Sequence, residues 1–456
     1  MARTLDIAPD ELGKRRDRKE YFYPAARVDF QVSFENYDRE NPAQPKAFPA
    51  VPRSLTINRN SYKEADTFQV TFDARAFPCT PESIRAGAVD IRLFQTEGNI
   101  EQGIDAATLS NLSVDPIITG LFDDVDIEYS DSGREVNISG TDYTALFTGT
   151  PWPKERRVDG NASLNIVLVE LMEKVQGASN MRLVVEPASL VGTLPVVGFA
   201  DGKINRKQVK VPGENYWDIM YGLAVRYGYI LFVRNLEIVL TTPKAYIENR
   251  TQTRSFAWGH NITSLRVTRS MGKERVPQIV VSSYDDAKRK KLVSKFPKNR
   301  VQAAALGIGF SRDEVKNFTL TGIKDKGILD RAAETYYNLV ARGEQKVFIA
   351  TKDLKDLDGE DLLDISAGDS ITLSFRPLSL DLLETMPAPE RISTLVGLGY
   401  PQEVATVISE AIEKTNIFRR PLRVKEVTYE WGVDSGISIS MELQNFVNVD
   451  LTESPA

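Results

Sequence analysis

The sequence predicts a mainly β protein with α+β character, in which two tube-like antiparallel β-barrel domains flank an α/β module. Two observations indicate this fold class. Apolar residues alternate with polar ones, as in half-buried strands, before residue 150 and after residue 255. Between these regions, apolar residues recur at the three- and four-residue spacing of amphipathic helices. The chain of 456 residues is long enough for two to four domains with sizeable cores.

Residues 1–27 are predicted to be a charged N-terminal arm, followed by the first β domain at residues 28–150. The arm carries a basic cluster at residues 14–19, which we interpret as a loosely attached segment rather than a specific anion site. The proline-rich stretch at residues 41–52 predicts a loop. Alternating strands follow, and the last two are separated by a turn at residues 131–133. These features indicate a barrel or a sandwich.

The α/β module is predicted at residues 151–254. Its second helix begins after Asn215, a favourable N-cap residue. Gly228 stands where a left-handed C-cap belongs, and Trp217 and Tyr227 lie on or beside the apolar stripe. We therefore assign Trp217, Tyr227 and Gly228 to the structural core.

Two short strands follow this helix, at residues 229–233 and 236–240. The residues between them are Arg234 and Asn235, which predicts a tight hairpin.

The second β domain is predicted at residues 255–450 and contains one long helix; residues 451–456 form a C-terminal tail. Two segments interrupt the domain. Residues 285–312 read as a basic loop without strand or helix periodicity, and residues 379–420 read as a helical insertion.

Both interruptions are candidate partner contacts. The basic loop is either solvated or bound to an acidic partner or a nucleic-acid backbone. The helical insertion either buries its apolar stripe on its own domain or docks on a neighbour. The candidate contact residues are Lys288, Arg289, Lys290, Lys291, Leu395 and Tyr400.

Composition disfavours most enzyme classes. The chain has one histidine, His260, and one cysteine, Cys79, so clustered zinc ligands cannot be assembled within it. No complete phosphate or dinucleotide loop is present, so we expect no catalytic residue, no metal and no cofactor. Carboxylates such as those of FDDVDIE leave a glycosidase open as an alternative. The net charge of −6 disfavours a general nucleic-acid binder.

Three stretches, in this order and spacing, carry a family resemblance. They are FDDVDIEYSDSGREVNISGTDYTALF, VPGENYWDIMYGLAVRYGYILFVRNLEIVLTTP, and LLDISAGDSITLSF with the later LRVKEVTYEW and GISISMELQNF. With them the chain resembles, over roughly residues 28–450, the tail hub proteins of bacteriophages. This family is also called baseplate hub or late-control D-like, and it is related to the N-terminal parts of secretion-system spike proteins. The chain departs from the family pattern at Arg234-Asn235, where Asp-Gly is frequent, and in the two segments that interrupt the second β domain.

The resemblance implies a non-enzymatic homotrimer in which six similar β domains form a ring around a channel. Such a ring joins the hexameric tail tube to the trimeric central spike, and DNA passes through it only in transit. The implied partners are a second and third copy, the tail tube protein, the central spike protein, the tape-measure protein and other baseplate proteins. The implied location is the virion tail, after synthesis in the host cytoplasm.

A channel for DNA requires a neutral or acidic wall, so we expect the basic loop on the outer rim or against a neighbouring tail protein. Two alternatives remain: a glycan-binding or glycan-degrading tail protein, and the hub of a phage-derived injection or secretion device.

Overall fold

The protein was analysed as a computed structural model. It describes residues 21–34, 46–60, 64–73, 84–98, 115–130, 133–153, 156–157, 162–197, 203–204, 215–248, 253–269, 278–285, 288–298, 315–320, 322–340, 345–375, 383, 386–415 and 422–444. The basic cluster at residues 14–19, Cys79, residues 299–312 of the predicted basic loop and the C-terminal tail lie outside these residues.

The described chain is mainly β with interspersed helices, which confirms the predicted fold class. The strands are β1 Tyr21–Phe34, β2 Lys46–Ala50, β3 Ser54–Arg59, β4 Thr67–Asp73, β5 Ile84–Gly98, β6 Ile118–Ser130, β7 Gly133–Asp142, β8 Arg156–Arg157, β9 Arg182–Glu186, β10 Lys203–Ile204, β11 Ile230–Arg234, β12 Glu237–Thr241, β13 Thr253–Trp258, β14 Ser264–Arg269, β15 Ile279–Asp285, β16 Lys290–Phe296, β17 Lys316–Thr319, β18 Gln345–Thr351, β19 Ser370–Phe375, β20 Leu422–Gly432 and β21 Gly436–Gln444. The helices are α1 Thr144–Thr148, α2 Leu164–Met172, α3 Tyr216–Arg226, α4 Pro243–Glu248, α5 Lys326–Val340, α6 Ala388–Gly397 and α7 Gln402–Thr415.

The chain divides into two compact units. Unit 1 comprises Met1–Thr56, Gln69–Ser139 and Glu430–Ile437. Unit 2 comprises Ile57–Phe68, Gly140–Tyr429 and Ser438–Ala456.

In unit 1, the described strands neighbour one another in the order β4-β7-β6-β5-β1-β2. The antiparallel β1–β5 pair is the longest, and Val28 stands opposite Ile91 in it. Alternate side chains of these strands are buried, as expected for a sheet with one face on a core. Phe30 lies at the centre of that core and packs edge-on against Phe72, with ring centroids 5.2 Å apart, and against Phe122, 5.7 Å apart.

Unit 2 contains several sheets. The largest runs β14-β18-β21-β20, and β19 pairs with both β20 and β13. The β13–β19 pair is parallel, unlike the antiparallel pairing predicted for this domain. Within each unit the described pairings follow an open path, so no closed barrel is traced among the described strands.

All residues of helix α3 are buried. It contacts α1, α2, α5 and β11. Its N-terminus is capped as predicted, because the Asn215 side chain accepts a hydrogen bond from the backbone N–H of Asp218 at 2.8 Å. Strands β11, β12 and β9 of the α/β module form a three-stranded sheet in that order. Strand β12 pairs antiparallel with β11 in a hairpin and parallel with β9 on its other side.

The predicted basic loop is wrong in its described part. Residues 290–296 form strand β16, which pairs antiparallel with β15. The parallel strand β17 completes a three-stranded sheet of order β16-β15-β17, separate from the large sheet of unit 2. The physical reason is a period-two pattern: Leu292, Ser294 and Phe296 turn towards helix α5, while Lys291, Val293 and Lys295 alternate with them and face away.

Three smaller predictions also need correction. Strand β1 begins at Tyr21, inside the predicted N-terminal arm, and β2 occupies Lys46–Ala50, inside the predicted proline-rich loop. The turn of the β11–β12 hairpin is Asn235-Leu236, because Arg234 still pairs with Glu237. Asn235 takes the positive φ of 53° there, a conformation that asparagine tolerates better than most residues.

Candidate functional site

The four predicted cations, Lys288 to Lys291, lie at one end of the β15–β16 hairpin and are all exposed. Lys288 and Arg289 form the turn, and Lys290 and Lys291 begin β16. Lys291 stands opposite Tyr284, and one step along the same face Val293 stands opposite Ser282. Lys295 is exposed on this face as well. We group the exposed hairpin end and this side of the strand under one name, the basic face: Tyr284, Lys288, Arg289, Lys290, Lys291, Val293 and Lys295. Lys290 belongs to the hairpin end, because the alternation of β16 puts it on the same side as Leu292.

Helix α5 covers the opposite side of this small sheet and makes it rigid. Phe296 packs edge-on against Tyr337 of α5 with ring centroids 5.3 Å apart, and Phe318 stacks on Tyr336 at 4.3 Å. The buried hydroxyl of Ser294 donates a hydrogen bond to Asp330. Tyr336 also packs against the core around α3, so the basic face rests on the central scaffold of unit 2.

Helices α6 and α7 pack against each other and are fixed by a buried arginine. Arg391 is 0% exposed although it is charged. Its guanidinium donates hydrogen bonds to the carbonyl oxygens of Leu383 at 2.7 Å, Met386 at 2.7 Å and Ser409 at 2.8 Å. A buried charge is tolerated only when it is hydrogen-bonded in this way. The arginine therefore clamps the start of α6 to the middle of α7.

Of the two residues predicted as contacts in the helical insertion, one is buried and the other is exposed. Leu395 is 3% exposed and packs inside the helix pair, so its assignment as a partner contact is wrong. Its carbonyl also accepts a hydrogen bond from the backbone N–H of Tyr400 at 3.1 Å. Tyr400 itself is exposed at the turn between the helices.

The outer surface of the helix pair is apolar and acidic. Leu398 is 69% exposed and Val407 is 66% exposed. Glu403, Val407 and Glu410 follow one another at helical spacing, so they share one stripe of α7. The exposed charges among the described side chains of the two helices are Glu390, Glu403 and Glu410, all acidic. We call this surface the apolar-acidic ridge: Glu390, Val396, Leu398, Tyr400, Glu403, Val404, Val407 and Glu410.

Unit 1 carries a second acidic surface on strand β6. Asp123, Asp124, Asp126 and Glu128 are exposed along this strand. Tyr129 follows at its end, 76% exposed, with the guanidinium of Arg134 5.6 Å from its ring centroid. The FDDVDIE carboxylates named for the glycosidase alternative are therefore all exposed on one strand, where Asp124, Asp126 and Glu128 share one side by the strand's alternation.

A buried carboxyl lies where β7 leads into α1. Burial, together with the nearby charge of Asp66, raises the pKa of Asp142 to about 7. Its oxygens accept hydrogen bonds from the backbone N–H groups of Thr144 at 2.9 Å and Asp66 at 3.2 Å. Both contacts fix the backbone, so we assign Asp142 a structural role.

The residues assigned to the core lie around α3. Trp217 is 2% exposed, with its ring centroid 6.2 Å from that of Phe147. Tyr227 is buried at the helix end, and Gly228 takes the left-handed φ of 86°. His260 lies exposed in the turn after β13.

The described residues contain no group of histidine, cysteine or carboxylate side chains placed to hold a metal ion. No described helix combines the length and the apolar character that crossing a lipid bilayer requires.

Sequence reasoning missed much of both surfaces. Tyr284 and Val293 of the basic face were not identified from the sequence. Val404 and Val407 of the ridge belong to the apolar stripe predicted for the helical insertion, but the sequence left open whether that stripe is buried or exposed. The signal for Val293 was the alternation among the lysines of β16, and Tyr284 stands near it on the paired strand β15. The helical period of α7 marks an apolar stripe but does not say whether that stripe is buried.

No protein-family model matches the sequence, and no curated protein matches it. Solved structures do match. A tail protein from Neisseria meningitidis MC58 aligns with a TM-score of 0.54 at 11% identity, over 92% of this chain and 97% of that chain.

Two further tail proteins align with slightly lower scores. The 43 kDa tail protein of prophage MuSo2 from Shewanella oneidensis has a TM-score of 0.49 and 12% identity, over 92% of this chain and 98% of that chain. A prophage tail protein from Listeria monocytogenes EGD-e has a TM-score of 0.48 and 9% identity, over 92% and 94%. The predicted resemblance to tail hub proteins is confirmed at the level of the fold, which this chain shares with the Neisseria tail protein.

Proposed function

We propose that the protein is a non-enzymatic structural hub of a phage tail. Three copies form a ring that joins the hexameric tail tube to the trimeric central spike and encloses the channel for DNA. The observation that carries this proposal is the fold shared with the Neisseria tail protein over nearly the full length of both chains.

The internal packing supports a scaffold role. Helix α3 is buried on all sides, and α5 contributes to both the core around α3 and the core beneath the basic face. Such packing holds surfaces in a fixed relation without any reactive side chain. A hub needs this rigidity because its contacts must repeat identically around the ring.

The charges of the exposed surfaces also support the proposal. DNA sliding through a channel is retained by several lysine or arginine contacts to phosphate, so the channel wall should be neutral or acidic. The acidic surface on β6 has the charge that such a wall needs. The basic face, with five exposed cations, belongs away from the channel, at a contact with another protein.

Light scattering with size-exclusion chromatography tests the trimer, and incubation with bacterial surface glycans tests the absence of hydrolysis. We expect three times the 50.9 kDa mass of one chain and no release of sugar. A monomer at micromolar concentration, or sugar release that substitution of Asp124 and Asp126 by asparagine abolishes, contradicts the proposal. The second result favours the glycan-degrading alternative.

A further inference from the structure

We propose that the apolar-acidic ridge of one copy binds the basic face of a second copy, and that this contact holds neighbouring chains together. The proposal rests on the trimer proposed above and names surfaces that make it. It begins from two surfaces that are both exposed on the single chain, so neither covers the other within it.

The two surfaces are complementary in charge. The described exposed charges of the ridge are Glu390, Glu403 and Glu410, and those of the basic face are one arginine and four lysines. The chain as a whole is acidic, with a net charge of −6. The cluster of cations on β16 and its turn is therefore a local feature of this hairpin and does not reflect the overall composition. Opposite charges across an interface steer the encounter and fix the register, while like charges suppress wrong pairings.

The two surfaces are also complementary in their apolar parts. Tyr284 and Val293 are exposed between the lysines of the basic face. Leu398, Val404 and Val407 are exposed between the glutamates of the ridge. Apolar side chains at the centre of a contact supply most of its binding free energy when a polar rim surrounds them. Each surface combines exposed apolar side chains with charged ones.

Both surfaces are preorganised for binding. Helix α5 fixes the sheet beneath the basic face, and Arg391 clamps the two helices of the ridge. Rigid surfaces lose less conformational entropy when they associate.

The geometry of the contact fits a closed ring. The basic face and the ridge are different surfaces of one chain, so pairing them between copies gives a head-to-tail interface. Head-to-tail interfaces form rings when the rotation between copies closes. A pair of identical surfaces would instead give a twofold dimer.

Charge reversal with rescue tests the proposal on the full chain. The basic-face variant carries Lys288→Glu, Arg289→Glu, Lys290→Glu and Lys291→Glu, and the ridge variant carries Glu403→Lys and Glu410→Lys. We expect each variant to raise the dissociation constant of the trimer by about tenfold or more, because repulsion between like charges replaces several attractive ion pairs at once. The chain that carries both sets should associate nearly as well as the wild type.

An apolar pair of variants provides the matched control. Val407→Ser on the ridge should weaken the trimer, whereas Val433→Ser should not, although Val433 is 65% exposed and Val407 is 66% exposed. Unfolding midpoints close to that of the wild type show that the variants fold.

Each outcome decides the proposal. Loss of the trimer in both charge variants and its return in the combined chain supports the contact. A trimer that survives both charge variants overturns the contact but leaves the proposed hub function standing. A wild-type chain that never forms a trimer overturns both. Weak association of the combined chain, with both single variants also weak, shows that the two surfaces do not meet and overturns the contact.

Discussion

Substitution of Gly228 by alanine is the sharpest test of the scaffold around helix α3. Gly228 has a φ of +86°, which costs an alanine about 1–2 kcal/mol. A Cβ at this position would also lie 2.5 Å from Cβ and 2.8 Å from the carbonyl carbon of Arg331, and 3.0 Å from the backbone nitrogen of Ala332. Two of these three atoms belong to the backbone of α5, so they cannot rotate away.

Relieving this overlap requires the end of α3 and helix α5 to separate. Overpacking of this kind costs about 1–3 kcal/mol, so Gly228→Ala should lower the free energy of unfolding by about 2–5 kcal/mol in total. Urea unfolding followed by the fluorescence of the buried Trp152 and Trp217 measures the change.

Gly359 provides the matched control. Its φ is also +86°, but an added Cβ meets nothing within 4 Å. Gly359→Ala should therefore cost only the conformational part, about 1–2 kcal/mol. If the two variants lose equal stability, the close approach of α3 and α5 does not constrain Gly228, and the reasoning is wrong.

Three further substitutions test the core and its charges. Trp217→Ala should lower the free energy of unfolding by about 3–5 kcal/mol, the range for deleting a buried large aromatic side chain, and an unchanged urea midpoint would refute its burial. Asn215→Ala removes the acceptor of the Asp218 N–H and should cost about 1 kcal/mol, whereas Asn215→Ser should retain most of that stability. The carboxyl of Asp142 keeps its proton to about pH 7 when folded and loses it near pH 4 when unfolded, so the folded chain binds more protons in this window and its stability falls as pH rises. In the Asp142→Asn variant, the free energy of unfolding should fall less steeply with pH, by up to about 1.4 kcal/mol per pH unit. If the wild type and the variant show the same pH dependence of unfolding, the raised pKa of Asp142 is wrong.

The sequence predicts helix ends most accurately, because these depend on short-range signals that agree with one another. The cap at Asn215 and the left-handed Gly228 each follow from short-range rules, and the structure contains both. Helix α3 is less amphipathic than its pattern indicates, because α1, α2, α5 and β11 surround it. The burial of the whole helix depends on tertiary packing, which cannot be predicted from the periodicity of its own sequence.

The surfaces are harder to predict than the core. Strand β16 is predicted as a loop from the sequence because its many lysines are typical of a solvated segment. In the structure, its alternate residues pack on α5. Leu395 of α6 and Val407 of α7 both belong to apolar stripes of the predicted helical insertion, yet Leu395 is buried and Val407 is exposed. Arg391 lies wholly inside the helix pair, against the usual preference of charged residues for water. Whether each of these side chains is buried or exposed depends on which face of its strand or helix packs against another element.

Electron microscopy of the purified protein tests the central claim most directly. The account predicts particles with threefold symmetry and a central hole, each built from three copies of this chain. The charge-reversed basic-face variant, imaged beside the wild type, should show isolated copies instead of rings. Wild-type particles that are single copies, twofold dimers or rings without an opening would contradict the assignment of this protein as a tail hub.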